Sequence, residues 1–535
     1  MKVAKACQQC REGKRKCIRD LSNTACLPCQ KRTITNCTLL KKVRGASIAP
    51  PTLAPIQVPS PGTCIGRFEL SDGIAQELVE SYLTKVHHRP HSLFHPPTLR
   101  EDVRENRVSR VLLFAICSLG SRFSAAESIR QLETTLTVAA KRLLLQDLEN
   151  ICLENIQACI LVANLCAAES NPASEALFFG IANSMMEIIR LPSPTPGESL
   201  VSRETKRRVW WSLFMADRWC SSGIGLPRRL RDFDRAVDLP MSEGIFDSLV
   251  AGQSVLPCPW KPGLWAHMVT LVQLFGPIQD LNQRCAEHDL DDAEIDSTVH
   301  GISLQLQSWE QMLPVDDRFS EEALHQYQEE GLGGPFVALH LGFHHYSTLL
   351  YFQFLEPRRP STPQTQLYID RCKHHASSYS RLLRLSRQRQ NCEAVYPTVG
   401  HMAVVSSSVL LHTLLFGEES ELPQARSGLN SNFEALVELR QYWANLASMI
   451  DRLVTFQNVC LLSMSTKQRT HELDRWMVRF LIEHALPLEE RPYIFAQSGT
   501  AFERETMSVN AKWLTEQGRF TDFSVSNLVD EPDIL

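Results

Sequence analysis

The sequence predicts a large all-α body carrying a small metal-built head at its N-terminus. Two observations predict the body: apolar residues recur with helical spacing from about residue 67 to residue 515, and alternating strand patterns are scarce. A third predicts the head. Cys7, Cys10, Cys17, Cys26, Cys29 and Cys37 read as C-x2-C-x6-C followed by C-x2-C-x7-C.

A tetrahedral thiolate site needs four sulfurs, so six serve two ions only if two of them bridge. Cys7 and Cys26 open the two half-repeats and are the expected bridges, so the spacing implies two zinc ions in a binuclear cluster. A disulfide framework fits poorly, because MKVAKACQQC carries no apolar signal segment and the other eleven of the 17 cysteines are scattered singly. One four-cysteine site would leave the repeat unexplained.

Between the second and third cysteines runs a basic stretch, Arg11 to Lys16. Arg11, Lys14 and Arg15 are spaced i, i+3, i+4 and share one face of any helix from Cys10 to Cys17. Residues 1–45 hold twelve Lys or Arg against two acids, a formal +10, so the rest of the chain carries −15 of the whole-chain −5. That asymmetry suggests a nucleic-acid-binding head on an acidic body. A basic run alone is usually a solvated face or an import signal. Metal ligands on both sides would instead fix a helix too short to be stable by itself and aim its cations one way.

Residues 5–40, KACQQCREGKRKC through CLPCQKRTITNC, resemble the fungal zinc binuclear cluster DNA-binding domain. The resemblance implies two short helices around two zinc ions, with the helix after Cys10 reading a CGG-like triplet in the major groove. By position, base reading falls on Lys14. Arg11, Arg15 and Lys16 become candidates for phosphate or further base contacts, and Lys31 and Arg32 are added as DNA-contact candidates in the second half. The chain departs from the pattern at Gly13, where a second basic residue is usual, and at Ala25, where a proline is usual. The head is expected to span 1–45.

Residues 46–66, rich in Pro and Ala with no charge before Arg67, read as an extended linker. No heptad crosses these prolines, so a coiled-coil dimer is not expected there. The body, 67–515, has helical candidates at 109–120, 130–148, 264–286, 334–355, 397–416 and 431–462, with further periodic segments around Ile156 and Leu177. No run of eighteen uninterrupted apolar residues occurs, and the most apolar segment is read as 151–168, so no membrane partner is expected. The tail, 516–535, interleaves acidic and apolar residues from Asp522 to Leu535. It is a candidate coactivator-binding segment.

The body resembles the fungal-specific transcription factor domain, the regulatory region that often accompanies this cluster. Three segments carry the likeness: YLTKVHHRPHSLFHPPTL at 82–99, IQACILVANL with the helix at 173–190, and ETKRRVWWSLFMADRWCSSGIGLPRRLRDFD at 204–234. Within them, His87, His91 and His95 are four apart, but nearby prolines break the helix a metal site would need. Trp210, Trp211 and Phe214 read as core, with lining of an effector pocket as the alternative. Asp217 with Arg218 reads as an ion pair or cap, and Gly331, Gly333 and Gly334 as a loop.

The expected function is a nuclear, sequence-specific transcription factor for RNA polymerase II genes. Its expected partner is double-stranded DNA, with a small-molecule effector or a homodimer partner as candidates on the body. The alternative is a zinc-stabilised protein-interaction module. An enzyme is not expected, since catalytic zinc keeps an open position and a saturated thiolate cluster has none.

Overall fold

The structure, a computed structural model, describes Cys10, Cys17 and Cys26 and residues 70–89, 91–230, 237–287, 289–356, 359–463, 475–482 and 501–519. Two compact units divide the chain, Met1–Pro55 and Ile56–Leu535. The linker reading at 46–66, the tail from 520 onward and the basic residues of the head lie outside the described residues.

Among the described residues the second unit is helical, without strands. Its N-terminal part holds α1 (Asp72–Lys85), α2 (Pro96–Arg104), α3 (Arg110–Ser121), α4 (Glu127–Arg130), α5 (Leu132–Gln146), α6 (Leu153–Ala168), α7 (Pro172–Ile188) and α8 (Leu200–Ile224). The middle holds α9 (Glu243–Asp247), α10 (Leu264–Glu287), α11 (Asp292–Met312), α12 (Glu321–Glu329) and α13 (Gly333–Tyr351). Then follow α14 (Pro363–Arg387), α15 (Thr398–Phe416), α16 (Leu422–Arg440), α17 (Leu446–Ser463), α18 (Arg475–Ile482) and α19 (Ala501–Glu516).

Local chemistry sets many of these starts. Pro96, Pro172 and Pro363 occupy first-turn positions, where the missing N–H costs nothing, behind His95, Asn171 and Thr362 as side-chain caps. Asp291 and Glu294 close a reciprocal capping box on α11. The starts and stops of α3, α5, α10, α13 and α15 agree with the periodicity to within a few residues.

Most of the helices share one apolar core that runs from Ala75 to Leu514, while Ile245 and Phe246 of α9 pack in a smaller cluster with Val201, Met241 and Leu249. Helices α6, α13 and α15 are buried on nearly every face, which is how an all-round apolar helix satisfies itself inside a large domain. The longest strongly apolar helix is α15, with a mean hydropathy of 1.6 over its best window and 94% of that window buried. The sequence had placed the apolar maximum at 151–168, where α6 is shorter.

Two expectations fail for tertiary reasons. The segment 431–462 is not one helix, because α16 ends at Arg440 and α17 begins at Leu446. Between them Trp443 is buried and donates from Nε1 to the Val395 carbonyl at 2.7 Å, while Arg122 lies 4.9 Å from its ring centroid. That anchor outweighs continued helical propensity. The glycine run is a loop only in part: Gly331 (φ +74°) ends α12, but Gly333 and Gly334 form the first turn of α13. A Cβ at Gly334 would stand 2.0 Å from Arg89 Cζ, so glycine lets the helix start lie on the buried guanidinium.

Candidate metal centre and the anchored core of the helical body

In the first unit, Cys10, Cys17 and Cys26 bring their Sγ atoms within 4.8 Å of one another, and Cys10 and Cys26 are buried. The Cys10–Cys26 Sγ separation is 3.6 Å. A disulfide would need roughly 2.05 Å, whereas the edge of a tetrahedron with about 2.3 Å metal–sulfur bonds is about 3.8 Å. The donor set therefore fits a thiolate metal ion. These are the second, third and fourth cysteines of the repeat, the set that would complete one ion's tetrahedron with Cys7. Cys7, Cys29 and Cys37, with Arg11, Lys14, Arg15, Lys16, Lys31 and Arg32, lie outside the described residues.

In the second unit, the three segments singled out by sequence converge on α8. Arg208 is fully buried, and each of its three guanidinium nitrogens donates a hydrogen bond. Nε donates to Glu204 Oε1 at 3.0 Å, Nη1 to Ser92 Oγ at 2.7 Å and Nη2 to the Met241 carbonyl at 2.6 Å. Its Cζ also sits 4.4 Å from the Phe246 ring centroid. Glu204 is buried as well; it accepts from Met241 N at 2.9 Å and pairs with Arg207 Nη1 at 2.5 Å. One ion pair thus ties the histidine loop and the segment before α9 to α8.

Without Arg208 the buried Glu204 loses the fully buried one of its two cations and keeps only Arg207, which is more exposed, while Ser92 and the Met241 carbonyl lose their donor. Arg208→Met should therefore destabilise the body by about 3–5 kcal/mol in urea unfolding. Arg208→Met combined with Glu204→Leu should recover a large part of that loss. A double variant no more stable than the single one would show that the guanidinium's bonds to Ser92 and Met241 dominate instead.

The turn after α8 is held by its own motif. Gly225 takes the left-handed conformation (φ +66°) expected past a helix end. Asp217 accepts from the backbone N–H groups of Arg229 and Leu230 at 3.0 Å, and Arg218 donates to the Phe214 and Leu230 carbonyls at 3.1 and 3.3 Å. Arg228 clamps the same turn to α10 through a bidentate pair with Asp280 at 2.9 and 2.7 Å. The expected capping role of Asp217 and Arg218 holds, directed at the loop more than at each other.

His87, His91 and His95 do not converge on a metal. His87 Nε2 accepts from Phe94 N at 3.2 Å, and His95 Nδ1 caps α2 at Thr98 N, 3.3 Å away. Burial lowers His87 to about 3 and His91 to about 4, so both stay neutral. Trp210, Trp211 and Phe214 are core, with Trp211 Nε1 donating to the Asp238 carbonyl at 3.0 Å.

The aromatic cavity of the body lies one turn further along α8. It has a volume of about 50 Å³ and is lined by Trp219, Trp265, Phe275, Tyr346, His345 and His401. Trp219 Nε1 donates to the Tyr346 hydroxyl at 2.9 Å across it. Sequence reasoning missed this set, because its members come from four helices and no local spacing links them.

Residues 79–311 match the model of the family described as fungal specific transcription factor domain. The chain is 22% identical over 434 residues to the Zn(2)-C6 fungal-type transcription factor FTF1c of Fusarium oxysporum f. sp. lycopersici, covering 73% of this chain and 46% of that protein. Two uncharacterized transcriptional regulatory proteins of Schizosaccharomyces pombe are similar at 25% identity (50% of this chain, 31% of the relative) and 23% identity (70% and 51%). The chain thus spans about half or less of the length of these curated relatives. No solved structure matches it.

Proposed function

We propose that the chain, whose residues 79–311 match the fungal specific transcription factor domain, is a sequence-specific, nuclear regulator of RNA polymerase II genes. The family is one of regulators, not enzymes. In this reading residues 1–45 form the DNA-binding head, 46–66 a linker, 67–515 the regulatory body and 516–535 a coactivator-binding tail.

The observation that carries the reading is the close approach of the Cys10, Cys17 and Cys26 thiols, within 4.8 Å of one another, with the basic run Arg11–Lys16 lying between Cys10 and Cys17 in the sequence. Two zinc ions held by Cys7, Cys10, Cys17, Cys26, Cys29 and Cys37 would supply the head with the cross-links that its small apolar content cannot. Relatives named Zn(2)-C6 transcription factors support the same assignment. The helix after Cys10 would then enter the major groove, with Lys14 on guanine acceptors and Arg11, Arg15, Lys16, Lys31 and Arg32 on phosphates or further bases.

Base reading and phosphate attraction separate experimentally. Lys14→Ala should cost on the order of 1–3 kcal/mol on the preferred site and flatten preference at one or two positions. Arg11→Ala should weaken all duplexes alike and reduce the salt slope by about one unit. Selection of bound sequences from a random duplex pool, run on the full chain and both variants, is the test. An unchanged motif with Lys14→Ala would sink the assignment, and an absence of duplex binding would favour a protein-interaction module.

A further inference from the structure

A polar groove of about 300 Å³ lies between α14 and α16, far along the chain from the motifs that mark the family, and nothing in the DNA-binding reading uses it. Its charge is of one sign. Arg381 and Arg384 stand one helical turn apart on α14, exposed and lining the groove, and no acidic side chain lines it. The other cations of α14 are committed: Arg371 to Ser303 Oγ, Lys373 to Glu421 at 2.9 Å, and Arg387 to Glu434 and Glu438. Among the described residues Arg381 and Arg384 have no ion pair, on a body whose formal charge is strongly negative.

The groove also has a built floor. Ser380, 3% exposed, places its Oγ 2.7 Å from Asn432 Oδ1 and 3.1 Å from the Gly428 carbonyl oxygen. Asn432 Nδ2 in turn donates to Ser406 Oγ at 3.0 Å and Ser407 Oγ at 3.1 Å. Gly428 permits this approach, since a Cβ there would meet Leu410 Cδ1 at 2.9 Å and Ser380 Oγ at 3.2 Å. On this floor Ser431, 5% exposed, lines the groove with its hydroxyl buried and without a hydrogen-bond partner. A buried hydroxyl is normally satisfied, so a lone one beside two uncommitted guanidinium groups marks a place for an acceptor.

We propose that this groove is a binding site for a small dianion, a phosphoryl group or a dicarboxylate, gripped by Arg381 and Arg384 and accepting a hydrogen bond from Ser431. Guanidinium forks match the paired oxygens of either group, and the volume suits a small metabolite. The shallow concavity and rigid serine and asparagine floor give such a ligand a fixed orientation, because the hydroxyls beneath it are already held by one another.

Isothermal titration of the full chain with inorganic phosphate, with succinate and with uncharged glycerol tests the site. At least one dianion should bind saturably, one per chain, and glycerol should not. Phosphate alone would identify a phosphoryl ligand, and succinate alone a dicarboxylate. The double variant Arg381→Ala/Arg384→Ala should weaken binding about tenfold or more, since it removes both sources of charge-assisted hydrogen bonds to the dianion. Both side chains are exposed, so folding should be unaffected, and the Lys/Lys version should retain part of the affinity. Absence of saturable binding by either anion, equal binding by the alanine variant, or loss of binding on Arg11→Ala/Lys14→Ala would overturn the proposal. The last outcome would place the anion on the head. Because this readout uses no DNA, it stands or falls apart from the base-reading assignment.

Discussion

Cys26→Ser should strip the head of both metal ions and abolish duplex binding, whereas Cys10→Ser should remove chiefly one. Six thiols can complete two tetrahedra only by sharing two sulfurs, and Cys26 is one of the two that the half-repeats offer for sharing. Its Sγ lies 3.6 Å from that of Cys10 and within 4.8 Å of that of Cys17, close enough to serve the ion those two would hold. Ser lacks the thiolate, and on the proposed reading loss of the shared ligand should collapse a head with too little apolar material to fold unaided. Elemental analysis of the purified chain should give two zinc per wild-type chain, close to none for Cys26→Ser and about one for Cys10→Ser. One zinc in the wild type would end the binuclear reading, and equal losses in both variants would overturn the bridging role of Cys26.

Acidification from pH 7.5 to 5.5 should lower the melting temperature of the body substantially. Burial pushes His87 and His375 down to about 3 and His91 and His340 to about 4, and holds His88 and His344 well below the usual range. An unfolded histidine titrates near about 6.5. Between that value and 3–4 the unfolded chain binds more protons than the folded one. Stability from these groups is therefore complete above about pH 6.5 and falls as the pH drops toward 4. At pH 5.5 each such histidine costs about 1.4 kcal/mol.

Two carboxyls act oppositely, Glu175 raised by burial to about 8 and Asp247 to about 6, because the folded chain takes up their protons first as the pH falls. Six histidines outnumber them. All nine tryptophans lie at Trp210 or beyond, so intrinsic fluorescence melts report the body without the head. A melting temperature that is flat or rises toward pH 5.5 would contradict the buried neutral histidines.

Much of this architecture was legible in the sequence because its signals are local. Helices α3, α5, α10, α13 and α15 announce themselves by apolar period, whereas α2 and α14 are not among the periodic candidates, and Pro96, read there as a helix breaker, instead opens α2. Capping by Asp217 and the core role of Trp211 followed from their places in one motif. What stayed hidden depends on distant partners. Trp443 ends α16 through a carbonyl 48 residues earlier, Gly334 is required by Arg89, and the Arg381–Ser431 groove joins two helices with no shared pattern. In the head, cysteine spacing proposes a ligand set of which Cys10, Cys17 and Cys26 are brought together, while Lys14 and its basic neighbours lie outside the described residues.

The apolar core described above does not respect the limits of the family match. Helix α10 lies inside residues 79–311, yet it packs on α13, and Trp219 of α8 reaches Tyr346 beyond that boundary. Arg122, just past the end of α3, donates to the Tyr442 carbonyl and covers Trp443, some three hundred residues on. The segment that the family model matches therefore does not enclose its own core. Its cooperative unit closes only when the chain beyond residue 440 has been made, so a ribosome would release the N-terminal helices with their inner faces still bare. An excised 79–311 fragment is accordingly a client for chaperones and a poor reagent for ligand screening.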